Sequence, residues 1–365
     1  MKYIVLSLIC LGLGYGLQRG QRTDVDELEV QATVAWNERN LAVAERQARR
    51  AFGQRHDAVR AREVLLRLSD VLERPEIQLA ILLDEREGRG AEQALSDLGR
   101  VALASNWFRL ADEYFTTGAS QFPKNEALQR QVVAISGLRL DAEEMQRRLT
   151  KWAQHGQPTT DLVVMSLGLW SIDTRGATPS ETWLRAAVEA DSTDFDSRLG
   201  LGRTFLAMGR YRECIRLLED HADEPRAAVL LARALATTKD STAAAKYLPA
   251  AEPNALKADY WFTKGLIAVE QNNWSAAEIS LSKAVQLRPL DQAFRSRYCA
   301  VLRRLNKTEV LENAVRELDT VVRIAHLSKL PGLATQLPSL RDLEQMCRSV
   351  GADETAKTLS KSVGR

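Results

Sequence analysis

One pattern returns along this chain at about 34-residue intervals, and it constrains the fold more than any other feature. In its clearest copy, counted from Ala258 as position 1, Trp261 stands at 4, Gly265 at 8, Trp274 at 17, Ala277 at 20, Leu281 at 24, Ala284 at 27 and Pro289 at 32. The reason for such a pattern is steric. Small residues at 8 and 20 let two antiparallel helices approach closely, a small residue at 27 lets the next pair dock, and proline at 32 ends the second helix. Other copies keep the phase: Gly99, Phe108, Ala111, Phe115, Gly118 and Pro123; Ala32, Leu41, Ala44, Ala48 and Ala51; and Gly168 and Gly202, 34 apart. A further copy, Leu231, Ala232, Leu235, Ala244, Leu248 and Ala251, is shortened by about four residues on its upstream side. Residues 57–90, 126–160 and 292–325 read as helix pairs with degenerate motifs, Ala134 and Cys299 being the nearest small residues at position 8.

These residues resemble the tetratricopeptide repeat, and the likeness spans about 85% of the chain. It implies an all-α fold, a right-handed superhelix or solenoid of antiparallel helix pairs. The count is eight to ten repeats, about eight to nine of the pairs falling within residues 21–325. Residues 326–365 form degenerate capping helices in this reading, with Cys347, Gly351 and Ala356 at positions 11, 15 and 20. The likeness also implies function by binding: the inner wall of the superhelix is lined by the first helix of each pair, at roughly positions 2, 5, 9, 12 and 13. Arg100, Arg203 and Arg233 occupy position 9 and Arg226 position 2, a set able to hold a carboxylate or acidic peptide through guanidinium forks. The alternative is that these arginines are solvated or pair with Asp196 and Glu213. Met165 and Phe262 at position 5, with Leu169 and Leu266 at 9, suggest an apolar groove for a helix or extended peptide. They stand where the Lys/Asn clamp for a C-terminal carboxylate would be, so that clamp is absent.

Composition agrees with a helical chain, because Ala, Leu, Arg and Glu dominate and lose little rotamer freedom in a helix. The 50 Lys+Arg against 48 Asp+Glu leave a net charge of +2, so no bulk field favours a polyanion and no nucleic-acid partner is expected. A pentatricopeptide reading, which would bind RNA, fits the Trp/Gly/Ala/Pro set poorly. No cofactor, metal or enzymatic activity is expected: His56, His155, His221 and His326 lie far apart, and neither a Cys-x-x-Cys pair, a phosphate-binding glycine loop nor a nucleophile turn occurs. Glu143-Glu144 reads as a solvated helix face. Cys214 and Cys299 take places where the repeat wants a small residue, which points to packing.

Ahead of the repeats, Tyr3 to Leu17 is fifteen uncharged residues between Lys2 and Arg19, the signature of a signal or anchor segment spanning residues 1–20. The expected location is therefore a membrane, held through residues 3–17, or the far side of one if the segment is cleaved. The expected partner is another protein or peptide. Beside the peptide-binding scaffold, alternatives stay open: a structural subunit that holds a membrane assembly together without a groove, a helical-repeat enzyme of unrecognised kind, and an RNA-binding helical repeat.

Overall fold

The computed structural model describes residues 24–55, 58–88, 91–155, 174–248, 256–327 and 337–363. Residues 3–17, Met165 and Leu169 lie outside them. The described residues are all-α, with no strand among them, and form two compact units, one ending at Phe122 and one beginning at Pro123. Unit 1 contains α1 (Val25–Asn37), α2 (Leu41–Gln54), α3 (Val59–Val71), α4 (Pro75–Gly88), α5 (Ala91–Ala104) and α6 (Phe108–Gln121). Unit 2 contains α7 (Glu126–Leu138), α8 (Ala142–His155), α9 (Thr174–Ala190), α10 (Phe195–Ala207), α11 (Tyr211–Leu218), α12 (Pro225–Thr237) and α13 (Ser241–Tyr247). It continues with α14 (Lys257–Glu270), α15 (Trp274–Leu287), α16 (Gln292–Arg304), α17 (Thr308–Leu327), α18 (Leu337–Ser349) and α19 (Asp353–Val363). Helix α17 runs on through residues 325 and 326.

The helices pair through one device. A three-residue turn joins first to second helix, and its middle residue is left-handed at Arg39, Glu73, Asn106, Leu140, Gly209, Lys239, Asn272, Asn306 and Gly351. The residue after it donates its N–H five residues back, as from Asn40 to the Ala35 carbonyl at 2.8 Å and from Asn273 to that of Ala268 at 2.8 Å. That bond closes the first helix. The same residue then caps the second: Asn40, Asp141, Asp240 and Asn273 each accept a backbone N–H from three residues on. One side chain thus ends one helix and starts the next.

This turn fixes position 15 of every repeat, so the register can be read from the backbone. The first four turns are 34, 33 and 34 residues apart, and the spacing from Gly209 to Lys239 is 30, the shortened copy. In residues 126–160 the turn at Leu140 puts Val133, not Ala134, at position 8. Cys299 does occupy that position, seven residues before Asn306.

The small residues lie where helices touch. Ala44, Ala111, Cys214, Ala244 and Ala277, all at position 20, are fully buried, as are Ala51 and Ala284 at position 27. The partner of position 8 is position 24: a Cβ on Gly265 would stand 2.6 Å from Leu281, and one on Gly202 would stand 2.9 Å from Leu218. Burial pushes the Cys214 and Cys347 thiols up to about 12, which suits packing and not nucleophilic work.

Left-handed backbone strains a residue with a Cβ by about 1–2 kcal/mol. Lys239 holds φ 65° with an exposed side chain. Its replacement by glycine is therefore expected to raise stability by about 1 kcal/mol, less what glycine adds to the freedom of the unfolded chain. Urea unfolding checks this; a loss of more than about 1 kcal/mol would mean that the lysine is held by contacts outside the turn.

Candidate functional site

The positions expected at the inner wall differ between α3 and α5 of unit 1 and α10, α12 and α14 of unit 2. In unit 1 much of the wall is open. Arg60, Glu63 and Arg67 on α3 are exposed, Val71 at the end of α3 is 59% exposed, and Arg100 on α5 is 61% exposed. Their charges pair along the helix, Arg67 with Glu63 at 2.5 Å and Arg100 with Asp97, so they stay at the surface and hydrated. Glu29 on α1 is the exception: it is buried, and it accepts the N–H groups of Arg60 at 2.8 Å and Ala61 at 3.0 Å, where α3 begins. Apolar surface accompanies the charges, since Val30 and Val34 lie exposed one turn apart on α1 and Val59 is exposed at the start of α3.

On α10, α12 and α14 of unit 2 the equivalent wall is filled, whereas Arg130 on α7 and Ser296 on α16, also at position 5, are exposed. Leu199, Val229 and Phe262, all at position 5, are buried, and so is Leu266 at position 9. Phe262 stacks on Phe294 with centroids 4.2 Å apart, and the Arg233 guanidinium lies 5.1 Å over the Phe262 ring. The expected apolar groove of Phe262 and Leu266 is thus interior packing: two large apolar side chains at adjacent repeats bury each other. Sequence periodicity places such residues on a helix without saying whether a neighbour covers them.

The arginines do not form one strip. Arg100 belongs to unit 1 and the other three to unit 2. Arg226 pairs with Asp196 at 2.7 Å and Glu224 at 2.9 Å. The Asp196 pairing was one of the expected alternatives, whereas Glu213 instead takes Arg210 at 2.5 Å. Arg203 reaches Asp141 at 2.9 Å and the Arg139 carbonyl at 3.3 Å. Arg233 reaches Asp259 at 2.5 Å.

Arg203 and Arg233 are parts of a larger cluster. Asp259 sits at its centre with Arg288 at 2.7 Å, and Arg288 also lies 3.5 Å from Asp291 and 3.7 Å from Glu143. Burial alone would push the Asp259 carboxyl up, but Arg288 and Arg233 outweigh it and bring it down to about 2. Burial and the neighbouring Asp259 raise Glu143, against the pull of Arg288. The same Glu143 accepts the N–H groups of Leu256 at 2.8 Å and Ala258 at 3.2 Å, where α14 begins. Its reading as a solvated face is therefore corrected: both side chains are partly buried, Glu143 bound to the start of α14 and Glu144 to Arg147 and Arg148. A second pair, Arg139 with Asp194 at 3.4 Å, is also buried.

The residues that close this wall, Arg139, Asp141, Glu143, Asp259 and Arg288, were not singled out by pattern. The one signal was Gly200 beside Gly202. A Cβ on Gly200 would stand 2.9 Å from the Arg139 Cα, so this glycine admits the 139–143 turn against α10.

No cluster of His, Cys, Asp or Glu able to hold a metal ion occurs among the described residues. One cavity of about 400 Å³ lies between α15, α16, α17 and the turn before α19, over the Arg295–Glu317 pair at 2.5 Å.

No family model and no curated protein matches the chain. Among solved structures, a tetratricopeptide repeat protein from Parabacteroides merdae ATCC 43184 is similar at 12% identity and TM-score 0.33, over 76% of this chain and 98% of that one. The anaphase-promoting-complex (APC/C) hetero-tetramer Cut9–Hcn1 is similar at 12% identity and TM-score 0.38, over 100% of this chain and 78% of that one. MamA from Desulfovibrio magneticus RS-1 is similar at 15% identity and TM-score 0.21, over 54% of this chain and 94% of that one.

Proposed function

We propose that this chain is a non-catalytic protein–protein interaction scaffold whose inner wall in unit 1 takes a peptide or partner protein. The observation that carries this reading is the open wall of α3 and α5, where Arg60, Glu63, Arg67 and Arg100 stand in solvent with Val71 beside them. Stacked helix pairs present such a wall as one continuous surface, and mixed charge with apolar spots is the composition of a non-obligate interface. The experiment is capture from native membranes by the wild-type chain, by a triple variant with Arg60, Arg67 and Arg100 changed to Glu, and by Arg226→Glu. A partner held on unit 1 is lost at least tenfold in the triple variant and kept in Arg226→Glu. Equal capture by all three supports the other reading, a structural subunit that holds an assembly together without a groove. The closed wall of α10, α12 and α14 favours that second reading.

The scaffold is held at a membrane by residues 3–17, or exported if they are removed. The fifteen uncharged residues, eleven of them apolar, supply burial for insertion, and Asp24, Asp26, Glu27 and Glu29 follow in the sequence as a return to polar composition. Among the described residues no helix is long and apolar enough to cross a membrane. Deleting residues 1–20 is expected to release a soluble chain of unchanged helicity. Carbonate extraction of the full chain reads the two versions: retention in the pellet marks an anchor, and a soluble product starting near Leu17 marks a cleaved signal. A full-length, uncleaved chain free in the cytosol would contradict both.

A further inference from the structure

Helix α15 carries a stripe that the pairing of helices does not use. Ile279, Lys283 and Leu287 follow one another at four-residue intervals, so they share one side of the helix. All three are exposed, Ile279 at 66% and Leu287 at 46%. The Lys283 ammonium reaches across to α14 and lies 3.9 Å from the centre of the Trp261 ring. Lys264, one turn along α14 from Trp261, places its ammonium 4.9 Å from the same ring. Among the described residues neither lysine has an ion-pair partner. Of the acids on the two helices, Asp259 is buried beside Arg233 and Arg288, Glu278 is held by Lys307 at 2.7 Å, and Glu270 is the last residue of α14.

An indole with two unneutralised ammonium groups beside exposed aliphatic side chains is the composition of a surface that meets lipid. There Trp lies at headgroup depth, lysines reach the lipid anions, and aliphatic side chains enter the acyl boundary. A bound peptide needs a groove or pocket to sit in. The cavity between α15, α16 and α17 is lined on α15 by Ser282, Val285 and Gln286, and by none of the stripe. A stripe that stands out from a helix without a seat beside it fits a plane.

We infer that Trp261, Lys264, Ile279, Lys283 and Leu287 form a contact surface for an anionic membrane. This rests on the reading that places the chain at a membrane, and it adds an electrostatic attachment on unit 2 to the one made by residues 3–17. The lysines choose anionic headgroups, and Ile279 and Leu287 hold the helix in the interface.

The probe is a vesicle of phosphatidylcholine, alone or with about 30% phosphatidylserine, carrying a lipid-borne nitroxide. The full chain is reconstituted with Cys10→Ser and with Ser275→Cys, an exposed position one turn before Ile279, bearing a fluorophore. Quenching is expected to be about threefold or more stronger with phosphatidylserine than without it. It is expected to fall about as much in Lys264→Gln with Lys283→Gln, and in Ile279→Ser with Leu287→Ser. The changed side chains are exposed, so the helical circular-dichroism signal of both pairs is expected to match wild type, and the comparison of the two vesicles needs no variant at all. Equal quenching on the two vesicles, or quenching kept by either pair, overturns the proposal. No quenching on either vesicle overturns it too, and an acidic protein captured by wild type and lost from the lysine pair would then assign the patch to a protein. Carbonate extraction of the same vesicles scores residues 3–17 separately. A chain retained in the pellet but unquenched keeps the anchor and loses this surface, while a chain quenched yet extracted keeps the surface and loses the anchor.

Discussion

Replacing Asp259 with alanine is expected to destabilise unit 2 by about 3–5 kcal/mol, the cost of stranding a buried charge whose partner is gone. Two guanidinium groups depend on this carboxylate, Arg233 at 2.5 Å and Arg288 at 2.7 Å. Arg288 is the worse placed after the change, because its side chain is only 11% exposed and its remaining acceptors stand at 3.5 and 3.7 Å. Arg233 is a quarter exposed and can turn to water, which is why the expected loss does not double. Hydrogen exchange followed unit by unit checks this: amides of α14 to α16 lose protection while those of α2 and α3 keep theirs. A change below about 1 kcal/mol would show that the cluster is hydrated in solution and does not hold unit 2 together.

Gly99→Val is expected to destabilise unit 1 by about 1–3 kcal/mol or more. A Cβ at residue 99 would stand 2.3 Å from the Phe115 ring, and that ring is fully buried. Helices α5 and α6 must then separate, and the pair gives up the contacts that small residues at positions 8 and 20 permit. Gly99→Ala meets the same ring and is expected to cost nearly as much. The first repeat shows the rule from the other side, with Ala32 and Ala48 at positions 8 and 24, both fully buried. There a methyl at position 8 is accommodated because the residue opposite is small. Urea unfolding of Gly99→Val that matched wild type would contradict the assigned contact.

Much of the architecture was legible in the sequence, for a physical reason. Close helix approach demands small residues at fixed intervals, so Gly265, Ala277 and Ala284 announce the pair that they build. The shortened copy around Leu231 was legible too, and the turns at Gly209 and Lys239 show the four residues that are missing. The turn residue itself was less visible, because Arg39, Glu73 and Lys239 accept a left-handed backbone that glycine or asparagine would adopt more easily. Ala134 was misplaced by one residue on that account, and only the turn at Leu140 corrects it.

The candidate site was legible only in part. Arg203, Arg226 and Arg233 were found by their repeat positions, and the Asp196 partner was anticipated. The closure of unit 2 was not. It is made by charged residues far apart in sequence, Glu143 with Leu256 and Ala258, and a charged residue on a helix reads as solvated until its partner is known. Phe262 and Leu266 were read as groove residues because periodicity fixes the face that a side chain occupies and not what packs against it.

The inner wall is open on α3 and α5 of unit 1 and closed on α10, α12 and α14 of unit 2. The most direct measurement of this contrast is thiol labelling at position 5 of two repeats, comparing Glu63→Cys with Val229→Cys in a Cys10→Ser chain. The native thiols at 214, 299 and 347 are buried and give a slow background. Glu63 has a side chain 58% exposed and Val229 is fully buried, so maleimide is expected to modify the first at the rate of a free thiol and the second at least a hundredfold more slowly. Equal rates at the two positions would contradict the contrast, and with it the assignment of the partner surface to unit 1.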